Sequence, residues 1–175
     1  GTIVDQGDVI TLPAGSTTCI TGAWSCATSN QVVTQMAYYG GAGATNLLLQ
    51  SNTVKLGSGS PSSTTSYAYD NIGNPTSVTD PVSNVSTMGY AADRQPLLTV
   101  SPSVDGSGTS LRRGVQYHYN SDGLRDIVTY GAYNPTTQAI TARSVKTTTY
   151  DSQGRKTRDT LTDGSTSYAM TQYSY

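Results

Sequence analysis

Apolar residues in this chain fall in short alternating runs bounded by turn-forming residues. Thr76-Ser-Val78-Thr79, Asp126-Ile127-Val128-Thr129 and Thr157-Arg158-Asp159-Thr160-Leu161 are the clearest. Alternation with period two places successive side chains on opposite faces of a strand. Each run is preceded by a turn signal, so the pattern predicts β-hairpins rather than helices.

The turn signals repeat. The units are Tyr67-Ala-Tyr69-Asp70-Asn-Ile-Gly73, Tyr117-His-Tyr119-Asn120-Ser-Asp-Gly123 and Thr148-Thr-Tyr150-Asp151-Ser-Gln-Gly154-Arg155. Each carries Tyr, then Asp or Asn, then two turn-tolerant residues, then Gly. Two copies are degenerate. Tyr39-Gly-Gly-Ala-Gly43 lacks the acid, and Met88-Gly-Tyr90-Ala-Ala-Asp93-Arg94 lacks Gly at the fifth place. Tyr173-Ser-Tyr175 opens a further copy. The anchor tyrosines are read as Tyr39, Tyr69, Tyr90, Tyr119, Tyr150 and Tyr175. Their irregular spacing fits hairpins with loops of variable length better than a strict solenoid.

The unit has a physical reading. Tyr residues two apart share one face of a strand. Asp or Asn next can accept hydrogen bonds from amides ahead of it and start a turn. Gly four places after the Tyr supplies a positive φ at little cost. Tyr rings then pack across strands while their hydroxyls reach water or backbone. Isolated hairpins are marginal, so copies are expected to pair edge to edge into a long twisted antiparallel strip.

Composition narrows the fold class. Among 175 residues there are 13 Tyr, no Phe, no Glu and about 50 Ser and Thr. A chain with so few helix formers and so many strand and turn formers is predicted to be all-β. Net charge is −1 with 12% charged residues, and no basic run exceeds Arg112–Arg113. A nucleic-acid partner is therefore not expected. No apolar stretch is long enough for a membrane-spanning helix. Residues 1–58 read as an atypical β-rich segment with one degenerate repeat. Residues 59–175 read as the hairpin array, truncated at its last copy. Gly57–Ser63 is either a linker between them or one long hairpin loop.

Candidate chemistry is sparse. Cys19 and Cys26 flank a short loop containing Gly22. If closed as a disulfide, the loop would contribute on the order of 2–3 kcal/mol; the alternative is two thiols. A zinc site would need further ligands near them, and the lone His118 is far away in sequence. Ser and Asp are so abundant that a triad drawn around His118 has no meaning. The Gly-rich segments Gly57–Pro61 and Asp105–Gly108 lack the Lys and helix of a phosphate loop. No catalytic, cofactor or metal-binding residue is nominated, and the chain is read as non-enzymatic.

The repeated Tyr-Asp-x-x-Gly unit, carried by Tyr69, Asp70 and Gly73, by Tyr119, Asn120 and Gly123, and by Tyr150, Asp151, Gly154 and Arg155, resembles the YD repeat of RHS proteins. Tyr90 marks a weaker copy. The family includes bacterial RHS toxins, the cocoons of insecticidal toxin complexes, and teneurins. The resemblance spans residues 66–175 and implies a β-strip that spirals into a shell enclosing a toxic polypeptide. It implies a secreted or bacterial surface location, with neighbouring repeats of a longer chain, copies of itself, or the enclosed toxin as partners. The family's self-cleaving Asp segment has no match here, so the Tyr, Asp and Gly positions transfer as structural residues only. Five or six hairpins are too few to close such a shell. The chain is therefore expected to be part of a longer array.

Two alternatives differ in class. A Tyr-rich β-surface can stack on sugar rings, with Trp24, Tyr38 and Tyr39 as first candidates for a glycan site. A polar β-chain with open edges can also polymerise as an extracellular fibre subunit.

Overall fold

The computed structural model describes residues 2–5, 8–11, 15–19, 27, 30–39, 47–106 and 109–175. Among them every regular element is a strand. The protein is all-β and antiparallel, as the alternating pattern predicts. Its contacts cluster into two units, Gly1–Ser83 and Asn84–Tyr175.

Among the described residues the first unit contains seven strands. These are β1 (Thr2–Asp5), β2 (Asp8–Thr11), β3 (Gly15–Cys19), β4 (Gln31–Tyr38), β5 (Leu49–Leu56), β6 (Ser62–Tyr69) and β7 (Pro75–Thr79). Strands β1 and β2 pair with each other. Strands β3 to β7 each pair antiparallel with the next in sequence. Gly57–Ser63 belongs to the β5–β6 hairpin: Lys55 pairs with Ser62, and Pro61 accepts a bond from the Leu56 amide.

The second unit contains β8 (Val85–Tyr90), β9 (Pro96–Val100), β10 (Arg112–Tyr119), β11 (Arg125–Asn134), β12 (Ala139–Tyr150), β13 (Lys156–Asp163) and β14 (Thr166–Gln172). They too pair in sequence order. Among the described residues no pairing joins first and last strands, so neither ladder closes into a barrel.

Burial is low throughout. Val100 and Val128 are the only buried apolar residues among those described. Asn74, Thr148 and Asp159 are buried polar ones. Strand β14 is exposed along its whole length. With so little apolar burial, cohesion must come from ladder bonds and from the links between neighbouring hairpins.

The hairpins share one register. Five tyrosines each pair with the first residue of the returning strand: Tyr38 with Leu49, Tyr69 with Pro75, Tyr90 with Pro96, Tyr119 with Arg125, and Tyr150 with Lys156. A bulge follows in every case, with one extra residue on the returning strand. Proline fits at Pro75 and Pro96 because the first strand residue can lack a ladder donor. In the first copy the register makes Tyr38 the anchor, which corrects the reading of Tyr39. The tyrosine doublet misled the sequence reading because Gly43 lies four places after the wrong one.

Candidate functional site

The repeated turn is built by its first polar side chain. At Asp70, one carboxylate oxygen accepts from the amides of Ile72 and Asn74 at 3.0 and 2.8 Å. The other accepts from Asn74 Nδ2 at 2.8 Å. Asn120 Oδ1 accepts from Asp122 and Leu124 at 3.0 and 2.9 Å. Asp151 Oδ1 accepts from Gln153 and Arg155, both at 2.9 Å, and its Oδ2 accepts from Arg155 Nε at 2.8 Å. The fourth residue of the turn donates its amide back to the carbonyl of the first: Gly73 to Asp70, Gly123 to Asn120, and Gly154 to Asp151. Those glycines have φ of 86°, 75° and 76°. Asp or Asn first and Gly fourth in the turn are the residues such geometry prefers.

The degenerate copy at Tyr90 keeps the backbone turn, although Ala91 has no side chain to cap it. Arg94 donates its amide to Ala91 at 3.0 Å and takes φ 68°. It therefore occupies the left-handed position that Gly fills elsewhere. A fifth example, Asp80-Pro81-Val82-Ser83, went unnoticed as a turn of this kind. Its Asp80 Oδ1 accepts from Val82 at 2.9 Å and Ser83 has φ 69°.

Two kinds of link join neighbouring hairpins. The first is a tyrosine staple. Tyr69 Oη donates to the Leu49 carbonyl at 3.1 Å, Tyr119 to Pro96 at 3.0 Å, and Tyr150 to Arg125 at 2.8 Å. Each acceptor lies opposite the preceding anchor, respectively Tyr38, Tyr90 and Tyr119. Burial first, then the neighbouring Tyr67 and Tyr39, pushes the Tyr69 hydroxyl above its ordinary value, which keeps it a donor. The second link joins the turns. Gln95 Nε2 donates to the Gly123 carbonyl at 3.3 Å. Leu48 packs toward Gly73, and Leu124 toward Gly154. The residue just before each of these returning strands thus reaches the next turn's glycine.

The acids of the site are held ionised. Desolvation raises the Asp70 carboxyl, but hydrogen bonds from Asn74, Ile72 and Gly73 outweigh it and leave it below the usual carboxylate value. The Arg155 amide is the largest influence lowering Asp151, with the Arg155 side chain and the Gln153 amide adding to it. Asp159, on β13, lies 6% exposed against β12. It accepts from Thr148 Oγ1 at 2.6 Å and pairs with Lys146 Nζ at 3.0 Å. The Thr148 bond is the main cause of its lowered value, with Lys146 and Lys156 assisting.

Both partners of Asp159, Lys146 and Thr148, line a concavity of about 390 Å³ over β10–β13. Tyr117, Tyr119, Tyr130 and Tyr150 line it together with Arg125, Lys146 and Lys156. Its cations are largely engaged. Arg125 stacks on the Tyr117 ring, 5.5 Å from its centroid, and Lys146 pairs with Asp159. The sequence reading did not single out Tyr130, Lys146 or Asp159. Their only signal was alternation along β11, β12 and β13, and which of them face one another is set by strand register.

Of the residues nominated for glycan stacking, Tyr39 packs edge-to-face on Tyr69 at 6.1 Å and donates to the Tyr67 carbonyl at 2.7 Å. Tyr38 Oη contacts Met36 Sδ at 3.6 Å. Trp24 lies outside the described residues. Cys19 ends β3 and is disulfide-bonded; Cys26 lies outside the described residues. His118 Nδ1 sits 2.7 Å from Asp126 Oδ1 on a surface that leaves its side chain 63% exposed. No group of three His, Cys, Asp or Glu that could hold a metal ion occurs among the described residues. No helix among them is long and apolar enough to cross a membrane.

No family model matches the chain, and no curated protein matches it.

Proposed function

We propose that this chain is a non-catalytic wall segment of a YD-repeat protein of the RHS kind. The wall would be a β-shell or scaffold that encloses or displays a toxin polypeptide, in a secreted or bacterial cell-surface protein. The observation that carries this reading is the staple between hairpins. Tyr69, Tyr119 and Tyr150 each bond the strand that returned from the anchor before it. Such a linkage extends one hairpin at a time and buries almost nothing, which suits a thin wall better than a globular core. Turn acids and glycines then serve geometry alone, so no turnover is assigned to them. Sequencing the flanking coding region and imaging the encoded full-length protein by electron microscopy tests the proposal. More repeats on both sides and a hollow particle are expected. A complete reading frame close to this length, or a solid globular particle, overturns it.

A second reading rests on the tyrosine-lined concavity over β10–β13. Its four rings and polar rim suit an extracellular carbohydrate-binding role, with stacking on sugar faces. A glycan array probed with the chain and with Tyr130→Ala distinguishes the two. Hits lost in the variant favour binding, and an empty array removes this reading while leaving the wall intact.

A further inference from the structure

A second, larger concavity of about 730 Å³ lies over β10–β12 and is mostly apolar. Val115 and Ala132 line it along β10 and β11, together with Gly114, Gly131 and Ala142. Its wall carries Val104 and Leu111, which are 94% and 60% exposed. Tyr130, 41% exposed, stands at its margin. These apolar groups lie in water although they share one concavity.

Charge selects among possible occupants. Arg112, Arg113 and Arg143 line the concavity and no acid does. Three of the chain's ten Lys and Arg therefore converge on one site in a protein of net charge −1. Among the described residues neither Arg113 nor Arg143 forms an ion pair, and both are exposed. A mostly apolar lining with the Arg113 and Arg143 guanidinium groups beside it complements apolar groups flanked by carboxylates. The walls stay too wet to enclose a compact small molecule, which would need most of its surface buried.

We propose that this concavity binds an extended polypeptide segment whose apolar side chains alternate with carboxylates. The inference does not depend on the wall reading, since it rests on the chemistry of β10–β12 alone.

The whole chain is titrated against three fluorescein-labelled peptides by fluorescence anisotropy. One alternates leucine with aspartate, one leucine with lysine, and one serine with aspartate. The leucine–aspartate peptide is expected to bind, weakening with salt, and the other two to bind about tenfold more weakly or worse. Arg113→Ser combined with Arg143→Ser should weaken leucine–aspartate binding by about tenfold. Arg113→Glu combined with Arg143→Glu should turn the preference toward leucine–lysine, a gain that misfolding cannot produce. Absence of leucine–aspartate binding overturns the proposal, as does equal binding by the serine variant. Saturable binding of sodium decanoate tighter than the peptide assigns the groove to a small amphiphile and overturns it too. So does self-association that the serine variant abolishes, which would make the occupant a second copy.

Discussion

The Tyr150 hydroxyl donates to the Arg125 carbonyl at 2.8 Å, across 25 residues of sequence. Arg125 is the residue that pairs with Tyr119, the anchor of the hairpin before. One hydroxyl thus ties two successive repeats at the point where the ladder is broken by a bulge. Removing only that oxygen with Tyr150→Phe should destabilise the chain by about 1 kcal/mol, the usual net value of such a bond. Tyr150→Ala should cost more, because ring packing goes as well. Urea unfolding followed by circular dichroism measures both. A phenylalanine variant as stable as the parent would show that the staple carries no energy.

The turn makes a sharper prediction at Arg94. A non-glycine residue at φ 68° is held in a region that costs L-residues roughly 1–2 kcal/mol. Arg94→Gly should therefore stabilise the protein by up to about 1 kcal/mol, once glycine's greater unfolded-state entropy is subtracted. Gly154→Ala, at φ 76°, should do the opposite by about 1 kcal/mol. Thermal melts of the two variants should shift in opposite directions.

Much of this was legible in the sequence, and the reasons are local. Tyr69-Asp70-x-x-Gly73 announces its own turn, because side chain, amide and positive φ all fall within five residues. The returning strands were legible through their alternation. Three features were not. Arg94 takes glycine's place because the tertiary register imposes the turn, and propensity alone would not choose Arg there. Tyr38 rather than Tyr39 is the anchor because of a one-residue register choice, which in a strand exchanges the two faces. The Lys146–Asp159 pair joins residues whose strand register no local pattern specifies.

The depressed carboxyls give a pH dependence with a definite sign. Asp70, Asp151 and Asp159 lie below the ordinary value of 3.8 when folded. Their contribution is complete above that value and is lost as pH falls through the lower folded-state values. The share from these three acids should thus be level from about pH 5 to neutrality and decline below about pH 4. Asp159→Asn should flatten part of the acid limb and lower stability at neutral pH, since Lys146 loses its partner. Asp151→Asn should change the turn less than Asp151→Ala, because Asn120 already performs the same capping with an amide oxygen. Unfolding midpoints measured from pH 2 to 7 check all three; a pH-independent midpoint in the parent would contradict the assignment.

The paired glycines of β10 and β11 should respond unequally to alanine. A Cβ on Gly114 would meet Ile140 Cδ1 at 2.8 Å and Tyr133 Cβ at 3.0 Å. Ile140 can swing aside, though Tyr133 Cβ is fixed close to its backbone. A Cβ on Gly131 would instead collide with the carbonyl oxygen of Thr141, which is part of the β11–β12 ladder at a bulge. Backbone cannot yield without breaking ladder bonds, each contributing about 1 kcal/mol. Gly131→Ala should therefore destabilise by roughly 2–4 kcal/mol, and Gly114→Ala by roughly 1–2 kcal/mol. Amide hydrogen exchange should show the difference in place. In Gly131→Ala protection falls along β11 and β12 together, whereas in Gly114→Ala the loss stays near β10 and the start of β12. Equal costs for the two variants would mean that the ladder at the bulge adapts as easily as a side chain.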